Sequence, residues 1–258
     1  MTKKRMTITT MTGRWQILVA AVAVVVAVSG VNLPVAAQKS SDQPELKSFL
    51  AAFDANRTDL KSYTAKFRQV KFNSLFKEYS EPSVGVLTYK RPGRVLWNYE
   101  TPDKMTLLLR DRQVHMYIAD MAQMDVYDFR DDQSMKALFL GFDQTAADLQ
   151  KAYTLHLFAP GKDYPDSWAV ELKPRDNKMT DYFDAVKLWM RKKDFAVTRI
   201  VISGPGNDGN VTEITLSDIR TNIDVPDTVF DLDVPPETSV VYHTADELKP
   251  VSAEEKTP

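Results

Sequence analysis

The sequence contains no cysteine, and only three histidines and nine glycines occur among its 258 residues. The absence of cysteine excludes disulfide bonds, thiolate nucleophiles, cysteine-ligated zinc and iron–sulfur clusters in this chain. The histidines, His115, His156 and His243, are scattered, and none has a second ligand at helical spacing. No Gly-x-Ser-x-Gly motif is present either. We therefore predict no catalytic residue, no metal site and no cofactor.

The first 37 residues have the three parts of a secretory signal peptide. Four basic residues lie within the first 14 positions, an uncharged apolar run of 12 residues spans 17–28, and small residues precede Gln38. A run of this length is shorter than the ~20 apolar residues of a membrane-spanning helix. Cleavage after Ala37 is therefore favoured over retention as an anchor, and we expect a periplasmic protein.

Charge argues against nucleic acid as a partner. Residues 1–37 carry four basic and no acidic residues, so their removal leaves 221 residues and changes the net charge from -2 to -6. Nucleic-acid binding requires a concentrated basic surface, which a mildly acidic chain lacks. We predict one domain over residues 38–240, followed by a disordered tail over 241–258 that is rich in charge and proline.

One helix is predicted near the start of this domain. Leu46, Phe49, Leu50 and Phe53 recur at the spacing of one helical face, after a capping position at Ser41 or Asp42. Such a helix must lie against a hydrophobic surface. Residues 135–142 and 145–152 predict two further short helices of the same kind.

Short β-prone runs separated by turn signals dominate the remaining sequence. They span residues 64–72, 83–90, 94–100, 104–110, 113–119, 123–129, 153–159, 167–173, 185–190, 195–203, 211–219 and 229–232. Strands this close in sequence pair antiparallel, because a parallel crossover needs a dozen or more residues. A sheet of this width is expected to curl toward a barrel, with the helices across its mouth.

Two motifs that could indicate an enzyme have simpler interpretations. Residues 204–209 match G-x-G-x-x-G, but a strand follows where a dinucleotide site needs a helix, which favours a hairpin turn. The adjacent acids Asp131 and Asp132 are more typical of solvated or capping positions than of paired catalytic carboxylates. The sequence therefore favours a binding protein over an enzyme.

Residues 95–99 and 105–109 place apolar side chains on both faces of their strands. One face can form the core, and the other then needs cover from the helices or from a ligand. Four methionines lie in or beside these strands, at Met105, Met116, Met121 and Met124. Their flexible side chains suit an adaptable apolar cavity, although ordinary core packing accounts equally well for any one of them.

Three segments, read in order, resemble a known family. They are Tyr-Thr-Ala-Lys-Phe-Arg-Gln at 63–69, Gly-Val-Leu-Thr-Tyr-Lys-Arg-Pro-Gly-Arg-Val-Leu-Trp-Asn-Tyr at 85–99, and Val-Phe-Asp-Leu-Asp-Val-Pro-Pro at 229–236. In this order the chain is similar to the periplasmic outer-membrane lipoprotein carrier proteins (LolA-like). The resemblance implies a mainly β fold, an unclosed antiparallel β-barrel of about 11 strands with an α-helical lid.

The resemblance also implies a function. Members of this family are monomeric chaperones that accept acylated lipoproteins from an inner-membrane ABC transporter and pass them to an outer-membrane acceptor. The arginine of their Lys-Arg-Pro block latches the lid, and that residue is Arg91 here. One departure is Asp111-Arg112 in place of the family's Asp-Gly, which predicts a different turn type.

We expect the acyl chains to lie in an apolar cavity closed by the lid. The candidate residues are Leu46, Phe49, Leu50, Phe53, Trp97, Leu107, Leu109, Met116, Leu138 and Phe139. An alternative function on the same fold is a lipoprotein- or lipid-sensing regulator of the envelope. A hydrolase acting on a lipid or glycan is a third hypothesis, which no motif supports.

Overall fold

The computed structural model describes residues 42–129 and 144–244. Its helices are α1 (Asp42–Arg57), α2 (Ala146–Ala152) and α3 (Asn177–Thr180). The strands up to the gap are β1 (Ser62–Asn73), β2 (Glu78–Tyr79), β3 (Ser83–Lys90), β4 (Arg94–Thr101), β5 (Met105–Arg110), β6 (Gln113–Ile118) and β7 (Gln123–Asp128). The later strands are β8 (Tyr153–Leu157), β9 (Ser167–Pro174), β10 (Val186–Arg191), β11 (Val197–Ser203), β12 (Val211–Thr221) and β13 (Ser239–Thr244).

All 13 strands belong to one sheet, in the order β13-β7-β6-β5-β4-β3-β1-β12-β11-β10-β9-β8, with β2 paired to β1 beside this path. Every pairing is antiparallel except that of β13 with β7, which is parallel. The path ends at β13 and β8, so the described part of the sheet is an unclosed barrel. The predicted fold class is confirmed, with 13 strands where about 11 were expected.

Alternation along the strands separates an interior face from an outer face. On β1 the side chains of Tyr63, Ala65 and Phe67 lie in the main apolar cluster, whereas the intervening Lys66 is exposed and pairs with Asp218. On β5, Met105, Leu107 and Leu109 lie in the same cluster, whereas Leu108 does not. The period of two thus places one row of apolar side chains inside the curved sheet.

The outer face has a separate apolar cover. Leu96 and Leu108 pack with Val225 and Phe230. The predicted strand at 229–232 is wrong, because Asp227–Phe230 forms a 3₁₀ helix whose Phe230 is completely buried. Apolar residues on both faces of β4 and β5 are therefore explained on the outer side by the segment after β12, and not by a lid or a ligand.

The predicted disordered tail begins too early in the sequence. Residues 241–244 belong to β13, which pairs with β7 from Ser239 to Thr244. The ring of His243 stacks on Tyr127 with 4.5 Å between centroids, and its Nε2 lies 3.0 Å from the buried Asp125 carboxylate. Residues 245–258 lie outside the described part, as do residues 1–41 with the predicted signal peptide.

Two turns differ from expectation. Asp111 and Arg112 both have positive φ, 53° and 61°, as in a type I′ hairpin turn. Asp-Gly favours the same turn, so the predicted change of turn type is wrong. Phe195, predicted in a strand, has a φ of 53° in the turn before β11. The loop at 204–209 is a hairpin connection between β11 and β12, as predicted. Across residues 42–129 and 144–244, no helix is long and apolar enough to cross a membrane.

Candidate functional site

Helix α1 covers part of the interior face through aromatic side chains. The ring of Phe49 lies 5.6 Å from Trp168 and 5.8 Å from Phe195, measured between centroids. Phe53 contacts Phe195 at 5.9 Å with an edge-on geometry. Phe49 and Phe53 are 1% and 7% exposed, so the apolar face predicted for this helix is the face that packs on the sheet.

The predicted wall residues lie in the same apolar cluster as this helix. Trp97, Leu107, Leu109 and Met116 are at most 2% exposed. These four side chains therefore have almost no surface that a water-sized sphere can reach. A guest molecule can contact them only after some of the surrounding side chains move.

The remaining predicted residues divide into two groups. Leu46 and Leu50 are partly buried and pack against the cluster from α1. Leu138 and Phe139, together with the helix predicted at 135–142, lie outside the described residues. The structure thus brings eight of the ten candidate residues into one apolar region.

Two tyrosine hydroxyls within this region are neutral and hydrogen-bonded. The Tyr63 hydroxyl donates to the carbonyl oxygen of Val197 at 3.0 Å, and the Tyr99 hydroxyl donates to Oε1 of Gln69 at 3.1 Å. Burial raises the pKa of both tyrosines well above the ordinary value. Because these hydroxyls stay protonated, they place no charge beside the apolar side chains.

Few directional contacts hold α1 in place. The amide of Ala146, at the start of α2, donates to Oδ1 of Asp54 at 2.7 Å. Among the described side chains of α1, those of residues 44–56, no other hydrogen bond reaches another described element. Helix α2 has its own capping box, in which Thr145 and Asp148 each accept from the other's backbone amide. The cover of the interior face is therefore mainly apolar and non-directional.

Arg91, the predicted latch, follows β3 at the turn into β4. Its backbone amide donates to the carbonyl of Lys61 at 2.9 Å, which connects this turn to the segment between α1 and β1. Its Nε lies 3.5 Å from the hydroxyl of Tyr89, whose side chain is completely buried in the main cluster. Arg91 thus lies at the boundary between the apolar interior and the connection to α1.

The sequence reasoning missed the residues that receive α1. Trp168 lies at the start of β9, and Phe195 lies in a turn between β10 and β11. Both are far from α1 in the chain, and no local pattern indicates the contact. The alternation of Tyr63, Ala65 and Phe67 on β1 did carry a signal for interior residues, which the predicted set omitted.

The arrangement suits the reversible burial of apolar groups. The part of its interior that lies under α1 is apolar, and the amphipathic helix α1 covers that part mainly through apolar contacts. His115, a candidate for chemistry, lies in β6, and burial together with Arg110 lowers its pKa, which favours the neutral imidazole. No group of three or more side chains within 42–129 and 144–244 could hold a metal ion.

Comparison with known proteins places these features in a family. The family model described as outer membrane lipoprotein carrier protein LolA matches residues 58–233. An outer-membrane lipoprotein carrier protein of Cupriavidus pinatubonensis is 26% identical over 236 residues, 86% of this chain and 96% of that protein. One from Francisella philomiragia is 21% identical over 188 residues, covering 73% and 85% of the two chains.

A solved structure has the same fold. It is an uncharacterized conserved protein from Thermus thermophilus, which matches with a TM-score of 0.50 and 12% identity over 77% of this chain and 99% of that one. The family model covers more than half of the sequence, including β1 to β12 and the 3₁₀ helix on the outer face. The chain therefore belongs to the outer membrane lipoprotein carrier protein LolA family.

Proposed function

We propose that the protein is a periplasmic carrier that binds the acyl chains of lipoproteins between α1 and the interior face of the sheet. In this proposal an inner-membrane ABC transporter supplies the lipoprotein and an outer-membrane acceptor receives it. The main observation behind this proposal is that α1 covers an apolar interior face. Among the described side chains of α1, one hydrogen bond, from the amide of Ala146 to Asp54, reaches another described element. Family membership supports the same function.

Energetics favour a movable cover over a permanently open cavity. Each buried methylene contributes ~0.8 kcal/mol, so one long acyl chain exposes on the order of 10 kcal/mol of hydrophobic free energy to water. Phe49 and Phe53 occupy part of the interior in the structure, and an acyl chain would replace their contacts. The net affinity for cargo is then the free energy of burying the acyl chain minus the free energy of the α1 contacts that it replaces. Because these two free energies are similar, release remains possible.

Arg91 has a regulatory role in this proposal, as a latch that favours the covered state. Its contact with Tyr89 and the backbone bond to Lys61 lie next to the connection from α1 to β1. The covered state and the cargo-bound state compete in one equilibrium, so a weaker covered state shifts the protein toward the cargo-bound state. Arg91→Leu should therefore retain bound lipoprotein and transfer it poorly.

The matched control for this variant is Arg94→Leu. Arg94 lies in the same turn region, but its guanidinium pairs with Asp227 at 3.1 Å and lies over the ring of Phe230 on the outer face. Transfer of lipoprotein to acceptor membranes should be normal for Arg94→Leu. Equal transfer by Arg91→Leu and the unmodified protein would contradict the latch.

The test of the carrier function uses the absence of native cysteine. Asp54→Cys and Ala147→Cys place one thiol on α1 and one on α2, next to the hydrogen bond between Asp54 and Ala146. A short bis-maleimide joins the two thiols and prevents α1 from moving away from α2. Protein recovered from the periplasm should carry triacylated protein, detected by mass spectrometry, whereas the cross-linked double variant should accept none.

Each single-cysteine variant, treated with the same reagent, is the control and should accept cargo normally. Depletion in cells separates the carrier from the sensing regulator considered above. Loss of a carrier should leave lipoproteins in the inner membrane, whereas loss of a sensor should change only transcription. Correct lipoprotein sorting after depletion would contradict the proposal.

A further inference from the structure

A cavity of about 440 Å³ opens at the opposite end of β1 from α1. Its volume lies within the range of small-molecule sites, ~300–1,000 Å³. The strand ends of β1, β11 and β12 and the β1–β2 hairpin surround it. The side chains that matter here are Lys71, Phe76, Tyr79, Tyr182, Ile202 and Thr212.

Lys71 lies on the interior face of the sheet. It continues the alternating row of Phe67 and Gln69 on β1, and its partner across the ladder is Thr212, two residues before the interior Ile214. Eight residues of strand separate Tyr63 from Lys71, a distance of about 26 Å at 3.3 Å per residue. The cavity is therefore distant from the aromatic contacts of α1.

Lys71 is a largely buried cation without a counter-charge in the described part of the protein. No carboxylate or carbonyl contacts its amine there. Burial alone lowers its pKa to about 8, and no acid among the described residues opposes this shift. Two acidic residues, Glu78 and Asp208, also line the cavity. The Asp208 carboxylate accepts a hydrogen bond from the amide of Asn210 at 2.8 Å, and neither acid contributes to the pKa of Lys71.

The mouth of the cavity is apolar and exposed. Phe76 and Tyr79, from the β1–β2 hairpin, are 65% and 69% exposed, and the adjacent Leu75 is 81% exposed. Tyr79 is the ladder partner of Phe72, with 5.1 Å between the ring centroids, so these two rings lie on the face of β1 opposite to Lys71. Exposed aromatic side chains beside a buried cation match a molecule with a charged head and an alkyl chain.

We propose that this cavity binds an anionic amphiphile, whose carboxylate or phosphate head pairs with the amine of Lys71 and whose alkyl chain packs on Phe76 at the mouth. The observations that carry it are the lysine without a counter-charge in the described residues, the cavity and the exposed apolar mouth. It does not depend on the carrier function, because a different end of the sheet is involved. A charge-assisted hydrogen bond to the buried amine would supply the specificity for an anion.

Isothermal titration calorimetry at pH 7 tests the site with dodecanoate, dodecyl phosphate and dodecanol. At this pH the amine is still mostly protonated, because its pKa is about 8. The unmodified protein should bind at least one of the anions more tightly than the alcohol. Lys71→Met should weaken binding of that anion by roughly tenfold to a hundredfold, the effect of losing a hydrogen bond to a charged group.

The matched control is Lys66→Met, on the same strand but on the outer face, where the lysine is exposed and pairs with Asp218 at 2.7 Å. This variant should bind all three ligands as the unmodified protein does. A cooperative thermal unfolding transition of each variant is the check that it is folded. Comparison of dodecanoate with dodecyl phosphate distinguishes a fatty-acid source from a phospholipid source.

Three outcomes would overturn the inference. The first is an equal affinity of Lys71→Met and the unmodified protein for both anions. The second is a parallel loss of dodecanol binding in Lys71→Met, which would indicate a change of shape in place of a lost charge. The third is no preference for either anion over the alcohol in the unmodified protein.

Discussion

The interior and outer faces of the sheet are both apolar, but they are covered in different ways. On the outer face, the segment after β12 is attached by charged groups as well as by Phe230. Lys90 donates to the carbonyl of Val225 at 2.6 Å, and Arg110 donates to that of Phe230 at 3.1 Å. On the interior face, α1 relies on Phe49 and Phe53, with one hydrogen bond from its side chains to another described element.

This difference suggests a physical basis for the proposed movement of α1. Hydrogen bonds to buried carbonyls are directional, and breaking them leaves polar groups unsatisfied. Apolar contacts have no such requirement, and another apolar group can replace them at little cost. In the proposed carrier, the core on the outer face would stay in place and the contacts of α1 on the interior face would be exchanged for an acyl chain.

The largest expected effect is on the cover of the outer face. Phe230→Ala should lower the free energy of unfolding by about 3–5 kcal/mol, because it empties a fully buried site. Urea denaturation measures this change. Val229→Ala is the neighbouring control, since Val229 is 38% exposed, and it should have a much smaller effect. A loss below about 1 kcal/mol for Phe230→Ala would mean that this cover is not a structural core.

The next largest effect is expected for α1, the helix on the interior face. Phe49→Ala should lower the free energy of opening of α1 by about 3 kcal/mol, because it removes the ring contacts with Trp168 and Phe195. Hydrogen exchange should show faster exchange of the amides in α1 than in β12. Equal acceleration in both elements would indicate that α1 opens only with global unfolding.

The end of the interior face that α1 does not cover contains a charge instead. Lys71→Met should raise the free energy of unfolding at pH 7 by about 3 kcal/mol, because folding then no longer buries a cation that lacks a counter-charge among the described residues. The folded pKa of about 8 is below the ordinary 10.5, so between these values the unfolded chain binds more protons. Stability of the unmodified protein should therefore rise with pH across this window, relative to Lys71→Met.

Urea denaturation at pH 7 and at pH 10 measures this difference, which should shrink at the higher pH. A constant difference between the two proteins would mean that Lys71 has an ordinary pKa in the folded state.

The smallest effect is expected from the hydrogen bond between Asp54 of α1 and Ala146 of α2. Asp54→Ala should destabilise the covered state by about 1 kcal/mol, because the amide of Ala146 loses its acceptor. Asp54→Asn keeps an acceptor oxygen and should behave nearly as the unmodified protein. Hydrogen exchange in α1 measures both variants, and an effect of Asp54→Ala as large as that of Phe49→Ala would reverse the ranking of apolar and polar contacts.

Local patterns were sufficient to predict several parts of this structure. The spacing of Leu46, Phe49, Leu50 and Phe53 predicted α1 and the face that it buries, because helical periodicity is a property of neighbouring residues. The β-prone runs predicted most strands for the same reason. The strand predicted at 229–232 failed, because Val229 and Phe230 have high β-propensity while the contact of Phe230 with Leu96 selects a 3₁₀ turn.

The candidate site was predictable only as a set of apolar residues. Trp97, Leu107, Leu109 and Met116 were named from apolar runs, and the structure places all four in one cluster with α1. Their contacts with distant elements, and those of α1 with Trp168 and Phe195, depend on pairs far apart in the chain. No sequence pattern indicated that Lys71 is enclosed, because an isolated lysine in a strand is usually solvated.

By itself, the sequence determined the alternation of the strands, the amphipathic helix, the absence of thiol chemistry and the resemblance to a carrier family. These properties follow from residue types and short spacings. Only the tertiary structure decided which cover has polar attachments, which one relies on apolar contacts and which lysine is enclosed without a counter-charge among the described residues. The physical reason is that burial and charge pairing depend on which distant segments meet, and the curvature of the sheet brings those segments together.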